Sequence, residues 1–282
     1  MGMALADAPT PISYIAWRDS PPETMTPERK MRSEPRIIRK PTVQLIAWTN
    51  FQKPNDVEWT TDSKVPAEQL IEMAGRQCYE SWANPAGRTN AEYVANMLDH
   101  GHMSVIEHGT ATFRFTGVSR SFTHELVRHR LFSYSQLSQR FVSETDAAFV
   151  EPNVIADDPK AHEIFVNSVE QSRQAYAALN EILKTKFDDL QDKTLRRKKA
   201  REASRAVLPN AVETKIVVTG NFRTWRHFVR LRSAEHTDVE IRAVAIAVLQ
   251  QLQKLAPSIF GDFEIYKGPD GLECARTKHI YE

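Results

Sequence analysis

The chain has 282 residues, with 41% hydrophobic and 26% charged side chains and a formal net charge of +1. That balance is ordinary for a soluble globular protein and offers no bulk attraction to nucleic acid or to a membrane surface. Two cysteines, Cys78 and Cys274, are too few for a disulfide framework, no apolar run reaches membrane-spanning length, and the N-terminus lacks the basic-then-apolar order of a signal peptide, so a reducing cytoplasm is expected.

Residues 1–41 are rich in proline, which removes amide donors and blocks regular structure, so this arm reads as a mobile extension outside the catalytic core. The core is expected over 42–266, with 267–282 as a tail. Residues 43–48 form a short apolar run that predicts a strand. Pro66 and Gly75 bracket a helix, and Asn90 caps a second one that Gly101 closes. Ala111, Phe113 and Phe115 alternate in the strand period, and residues 119–127 then predict a helix. Apolar steps of three and four over 160–190 mark a long amphipathic helix. A basic helix follows over 196–201 and halts near Pro209; 214–219 is a β-branched strand, 223–232 a short helix and 239–255 a longer one. Strands and helices do not alternate regularly, which argues for an α+β domain with a helix-rich core and a small sheet instead of a doubly wound parallel sheet.

Several familiar chemistries are excluded. No Gly-x-Gly pair exists for a dinucleotide fingerprint or a phosphate loop, and no Gly-x-Ser-x-Gly elbow marks a serine hydrolase. His124 and His129 are five apart, so on a helix they point about 140° from each other and cannot share a metal. His100, His102 and His108 lie close in sequence but read better as turn and supporting polar residues, and no metal site is expected.

What remains is Arg128–Arg140, a stretch dense in arginine, serine and glutamine yet flanked by Leu126-Val127 and Phe141-Val142. Arginine forks and hydroxyls held in packed structure suit an anionic ligand. A second polar segment spans Asn221–His236, where Arg223 and His227 share a helical face. Arg205 stands against apolar Ala206-Val207-Leu208, where an arginine requires a fixed anionic partner. Arg226 and Arg230 read as surface salt bridges. A nucleic-acid module using Arg196–Arg201 and Arg128–Arg140, with Phe132, Tyr134 and Phe141 stacking on bases, is the competing reading from the residues. A scaffold whose arginines bridge subunits is a third.

The motif Arg128-His129-Arg130, with Ser133, Ser138 and Arg140 at fixed spacing, resembles the signature of flavin-dependent thymidylate synthases. His102–His108, Arg205–Pro209 and Asn221–His236 resemble three further motifs of that family, so the similarity covers roughly residues 43–265. The form Phe132–Arg140 resembles the actinobacterial, mycobacterial-type branch. The resemblance implies conversion of deoxyuridylate (dUMP) to deoxythymidylate, with methylenetetrahydrofolate as carbon donor and FAD, reduced by NADPH, as hydride carrier. It also implies a homotetramer with composite active sites, and neither nucleic acid nor membrane as a partner. It assigns dUMP to Glu125, Leu126, Val127, Arg128, Gln136, Leu137, Ser138, Gln139, Arg140, Arg205 and Arg232. FAD falls to Ser104, Arg128, His129, Arg130, Gln136, Asn221, Phe222, Arg223 and His227. Arg232 is the implied activating residue, and as a permanently charged group it acts by electrostatic stabilisation, not as a base. Two positions depart from the family pattern. Many members carry Asn-Glu where this chain has Ser135-Gln136, and Gln136 cannot serve as a base. His227 stands where an asparagine is frequent.

Overall fold

The computed structural model describes residues 30–84 and 86–280. The chain enters through β1 (Arg36–Ile38) and β2 (Thr42–Trp48). Helix α1 (Pro66–Gln77) starts on its proline but runs past Gly75. Helix α2 (Asn90–Asp99) is capped by Thr89, not Asn90: Thr89 and Glu92 form a reciprocal capping box. Asn90 instead turns inward and donates to Glu72 at 2.8 Å. A 3-10 turn (Val105–His108) leads into β3 (Thr110–Ser119), whose last residue caps α3 (Arg120–Leu126). The strands β4 (Ser133–Gln136) and β5 (Ala148–Val150) follow, then α4 (Asn153–Ala156), the long α5 (Pro159–Lys186) and α6 (Lys193–Ser204). Strand β6 (Glu213–Asn221) runs straight into α7 (Phe222–Arg232); α8 (Val239–Leu255), α9 (Pro257–Phe260), β7 (Glu264–Lys267) and β8 (Glu273–Arg276) complete the order.

The main sheet has the order β2-β3-β6-β4, all neighbours antiparallel. Ala111, Phe113 and Phe115 on β3 and Ile216 and Val218 on β6 face one side and are buried there. Helices α7 and α8 cover that side with Trp225, Phe228, Val244 and Leu249, all fully buried. Trp225 donates its indole N–H to the Ala111 carbonyl at 3.0 Å, so the polar end of a large core residue is satisfied. Between Phe115 and Val118 the β3–β6 register shifts, and Gly117 takes a φ of +67° there. A Cβ at Gly117 would also sit 3.1 Å from the Lys40 carbonyl, so glycine suits this bulge on both counts.

The fold is the α+β domain expected, but the packed body runs past both expected boundaries. Within the expected arm, β1 pairs in parallel with β5, Arg36 to Ala148 and Ile38 to Val150. Residues 1–29 of that arm lie outside the described residues. Within the expected tail, β8 pairs with β7, Cys274 and Ala275 are buried, and Ala275 exchanges backbone and hydroxyl hydrogen bonds with Ser233 at the end of α7 (3.1 and 3.2 Å). His279 is buried as well, between Asp99 and Asp262. Arg226, expected as a surface pair, is fully buried and forks onto Asp262 at 2.6 and 2.8 Å.

Candidate active site

The stretch Arg128–Arg140 begins as the turn that ends α3. The amides of Arg128 and His129 donate to Glu125 and Leu126 carbonyls, both at 3.1 Å. Phe132 then plunges into the core and packs 4.4 Å, centroid to centroid, from Trp225. Gly220 of β6 makes room for it: a Cβ there would lie 2.4 Å from the Phe132 ring. The chain next becomes β4, an edge strand paired with β6 from Ser133↔Thr219 to Gln136↔Ile216. The Tyr134 hydroxyl turns back to the carbonyls of Leu126 (2.7 Å) and His129 (2.6 Å), which locks the turn to the strand. Burial raises the Tyr134 phenol, so it remains a donor at neutral pH.

The turn and α7 enclose a cavity of 380 Å³ lined by Arg128, His129, Arg130, Leu131, Thr224, His227, Leu231 and Arg232. Arg232 donates from Nε to His129 Nε2 at 2.9 Å and from Nη1 to Glu125 at 3.1 Å. The His129 ring is buried and meets Phe228 and His227 edge-on at 5.3 and 5.9 Å. Burial first, then the neighbouring Arg232 and His227, push the His129 imidazole down to about 4. Arg232 and His227, five residues apart, thus meet one cavity because the His129 turn wedges against the helix between them.

The other end of the stretch is built differently. Gln136 donates to Thr123 (3.0 Å) and Thr214 (3.3 Å) and borders a 460 Å³ cavity shared with Arg120, Ser121, His124 and Asn210. Arg140 pairs with Glu202 of α6 at 2.7 Å and borders a 490 Å³ cavity with Lys198 and Lys199. The Ser138 hydroxyl accepts from the Arg140 amide at 3.3 Å, and Leu137 donates its amide to Lys215 at 2.8 Å. Gln139 is buried. Val127 is exposed beside Gln136.

Arg205 is not embedded as expected: it is exposed at the start of a 3-10 turn (Arg205–Val207), just past the last residue of α6. The embedded arginine of this segment is Arg201, which donates to the Phe141 carbonyl at 2.6 Å. A functional candidate missed in the sequence is Arg120. Its buried Nε has no hydrogen-bond partner among the described residues, and burial lowers its pKa, with Glu144 opposing and Arg205 reinforcing that shift. It follows the cap of α3, and nothing in the local pattern distinguishes it from a surface arginine.

Ser104, Asn221 and Arg223 gather at the other end of α7. Asn221 accepts from the Thr224 amide at 2.8 Å as N-cap, and Arg223 pairs with Glu107 at 2.7 Å. Ser104 is exposed before the 3-10 turn that carries Glu107. The side chains of Leu126 and Phe222 are fully buried in the core, so only their backbones are available to a ligand. Among the described residues, no group of three or more histidine, cysteine or acidic side chains is arranged to hold a metal ion, and no helix is long and apolar enough to cross a membrane.

The family described as "Thymidylate synthase complementing protein" matches residues 61–258. The flavin-dependent thymidylate synthase of Mycobacteroides abscessus is 53% identical over 242 residues, covering 85% of this chain and 96% of that protein. Those of Mycolicibacterium gilvum and Mycobacterium avium are 55% and 53% identical over 237 residues, each covering 83% of this chain and 94% of the relative.

Proposed function

The chain belongs to the thymidylate synthase complementing protein family, and from that premise we propose that it is a flavin-dependent thymidylate synthase converting dUMP to deoxythymidylate. Methylenetetrahydrofolate supplies the carbon, and NADPH reduces the flavin. The observation that carries this reading is the bracketed Arg232, held by His129 and Glu125 at the wall of a cavity rimmed by Arg128 and Arg130.

The residues fit a flavin dinucleotide. Arg128 and Arg130 are exposed forks suited to a diphosphate, and the His129 and His227 rings give the cavity aromatic walls. Asn221, Arg223 and Ser104 would extend the same site, and FAD, when bound, supplies the hydride chemistry. For the nucleotide, dUMP brings a phosphate and a uracil whose C5 carbon must become nucleophilic. Arg140, with the Ser138 hydroxyl and neighbouring amides, would take the phosphate. Arg120, whose buried Nε has no partner among the described residues, adds positive charge beside Gln136, with the exposed Arg205 close to it. The Arg232 guanidinium stabilises negative charge developing on N3 and the carbonyl oxygens. Gln136 orients and donates; it moves no proton.

In one chain the residues for the two ligands border three separate cavities. A homotetramer in which a neighbouring copy completes each site accounts for that separation. Two free cysteines, Cys78 and Cys274, suit a reducing cytoplasm.

The test is the absorption spectrum of the purified protein. A yellow protein whose flavin bands shift on adding dUMP is expected. Colourless protein that also fails to take up added FAD would sink the assignment.

A further inference from the structure

The bond between Arg232 and His129 has a direction. A guanidinium Nε carries a hydrogen and can only donate. The 2.9 Å contact therefore requires His129 Nε2 to be the acceptor, and a neutral imidazole accepting there keeps its proton on Nδ1. The ring has little freedom to do otherwise. Phe228 and Phe132 meet it at 5.3 and 6.3 Å, and Tyr134 holds its carbonyl at 2.6 Å. Glu125 takes a second donor of Arg232, so the fork is pinned at Nε and Nη1 while the residue borders the cavity.

Resting on the reading of Arg232 as the group that faces the pyrimidine, we propose that His129 is a positioning residue: its neutral, Nδ1-protonated ring fixes the Arg232 fork toward the nucleotide, and protonation of the ring releases it. The titratable and charged groups around His129 are Arg232 and His227 from α7, Glu125 from the end of α3, Arg128 and Arg130 from its own turn, and the Tyr134 hydroxyl from β4. Burial, Arg232 and His227 hold the imidazole near 4, well below the ordinary 6.5, so the acceptor form persists through neutral pH. On acidification toward that value His129 becomes a donor at both nitrogens beside a guanidinium, and attraction turns to repulsion. The unfolded chain takes up this proton first, so the fold also loses stability as pH falls from 6.5 to about 4.

The experiment is a double-mutant cycle on the flavin-loaded full chain, read by calorimetric titration with dUMP, with flavin retention followed by visible absorption. His129→Leu removes the acceptor. His129→Gln places an amide oxygen near the position of Nε2 and does not titrate. His129→Leu is expected to weaken dUMP binding about tenfold, His129→Gln to recover most of that loss, and His129→Leu to cost nothing further when added to Arg232→Ala. The acid limb of turnover near pH 4 should vanish in His129→Gln. If the His129→Leu loss persists undiminished beside Arg232→Ala, His129 touches the ligand itself and the positioning role is overturned. Wild-type binding in His129→Leu, or an unaltered acid limb in His129→Gln, overturns it too. Absence of any dUMP heat from the wild-type protein sinks the thymidylate synthase reading and this inference with it, a pattern distinct from the others.

Discussion

The two ends of Arg128–Arg140 hold their charge in different ways. At the first end, the turn before β4 meets α7, and Arg232, His129 and Glu125 form a closed set of partners within one chain. At the second end, Arg140 rests on Glu202, a pair in which both side chains are more than two-fifths exposed. A bracket built on a buried histidine, with Arg232 and Glu125 half-buried, holds its geometry better than the more exposed ion pair, which is worth little and is readily exchanged for a better partner. The first end is therefore prepared before any ligand arrives. The second is a charge in waiting, suited to a phosphate that displaces a carboxylate. Phe132, seated against Trp225 and Gly220, is the hinge point that keeps the two ends in fixed relation.

Four substitutions probe that contrast, in descending order of effect. Arg232→Ala removes a charge prepared in advance, and turnover is expected to fall about 10²–10³-fold with flavin retained; wild-type turnover in single-turnover assays would remove the first end from the chemistry. Arg140→Ala should weaken dUMP binding by about 10–100-fold while flavin absorbance is unchanged. Loss of flavin instead of nucleotide would reverse the assignment of the two ends. Gly220→Ala strikes the middle: its Cβ overlaps the Phe132 ring, so thermal unfolding should show a loss of about 1–3 kcal/mol, with both ligands weakened together. An effect on one ligand alone would show that the ends are not held in common. The smallest change is Glu202→Gln, which frees Arg140; dUMP should bind tighter by no more than about fivefold. Weaker binding would mean that Glu202 supports the site.

Much of the framework is readable from spacing. The three- and four-residue apolar steps of α5 and the alternation of Phe113 and Phe115 each report a single buried face, which is the property that periodicity measures. The β4 strand escaped because Ser133-Tyr-Ser-Gln136 is an edge strand with almost no apolar alternation; its identity comes from pairing with β6, a contact some eighty residues away in sequence. Arg205 was misjudged because it lies past the end of α6, where helical phase no longer says which way a side chain points. Arg201, inside the helix beside buried Ala200 and Ser204, holds the embedded position. The polar segments that carry His129, His227 and Arg232 are legible in the sequence, and the resemblance implies their roles, but the Arg232–His129 hydrogen bond is not legible, since it depends on how the turn docks on α7. Arg120 carries no local signal at all; only the fold shows its Nε without a partner among the described residues.

The hairpin β7–β8 gives the molecule an order of assembly in time. Arg232 ends a helix whose next residue, Ser233, is fastened by Ala275. During synthesis the chain emerges from its N-terminus, so every residue implied in ligand binding has left the ribosome before that fastener exists. A nascent or prematurely ended chain would carry the whole chemical inventory with the end of α7 untied. The β7–β8 hairpin thus fastens the end of α7 only after the residues of α7 themselves have been made.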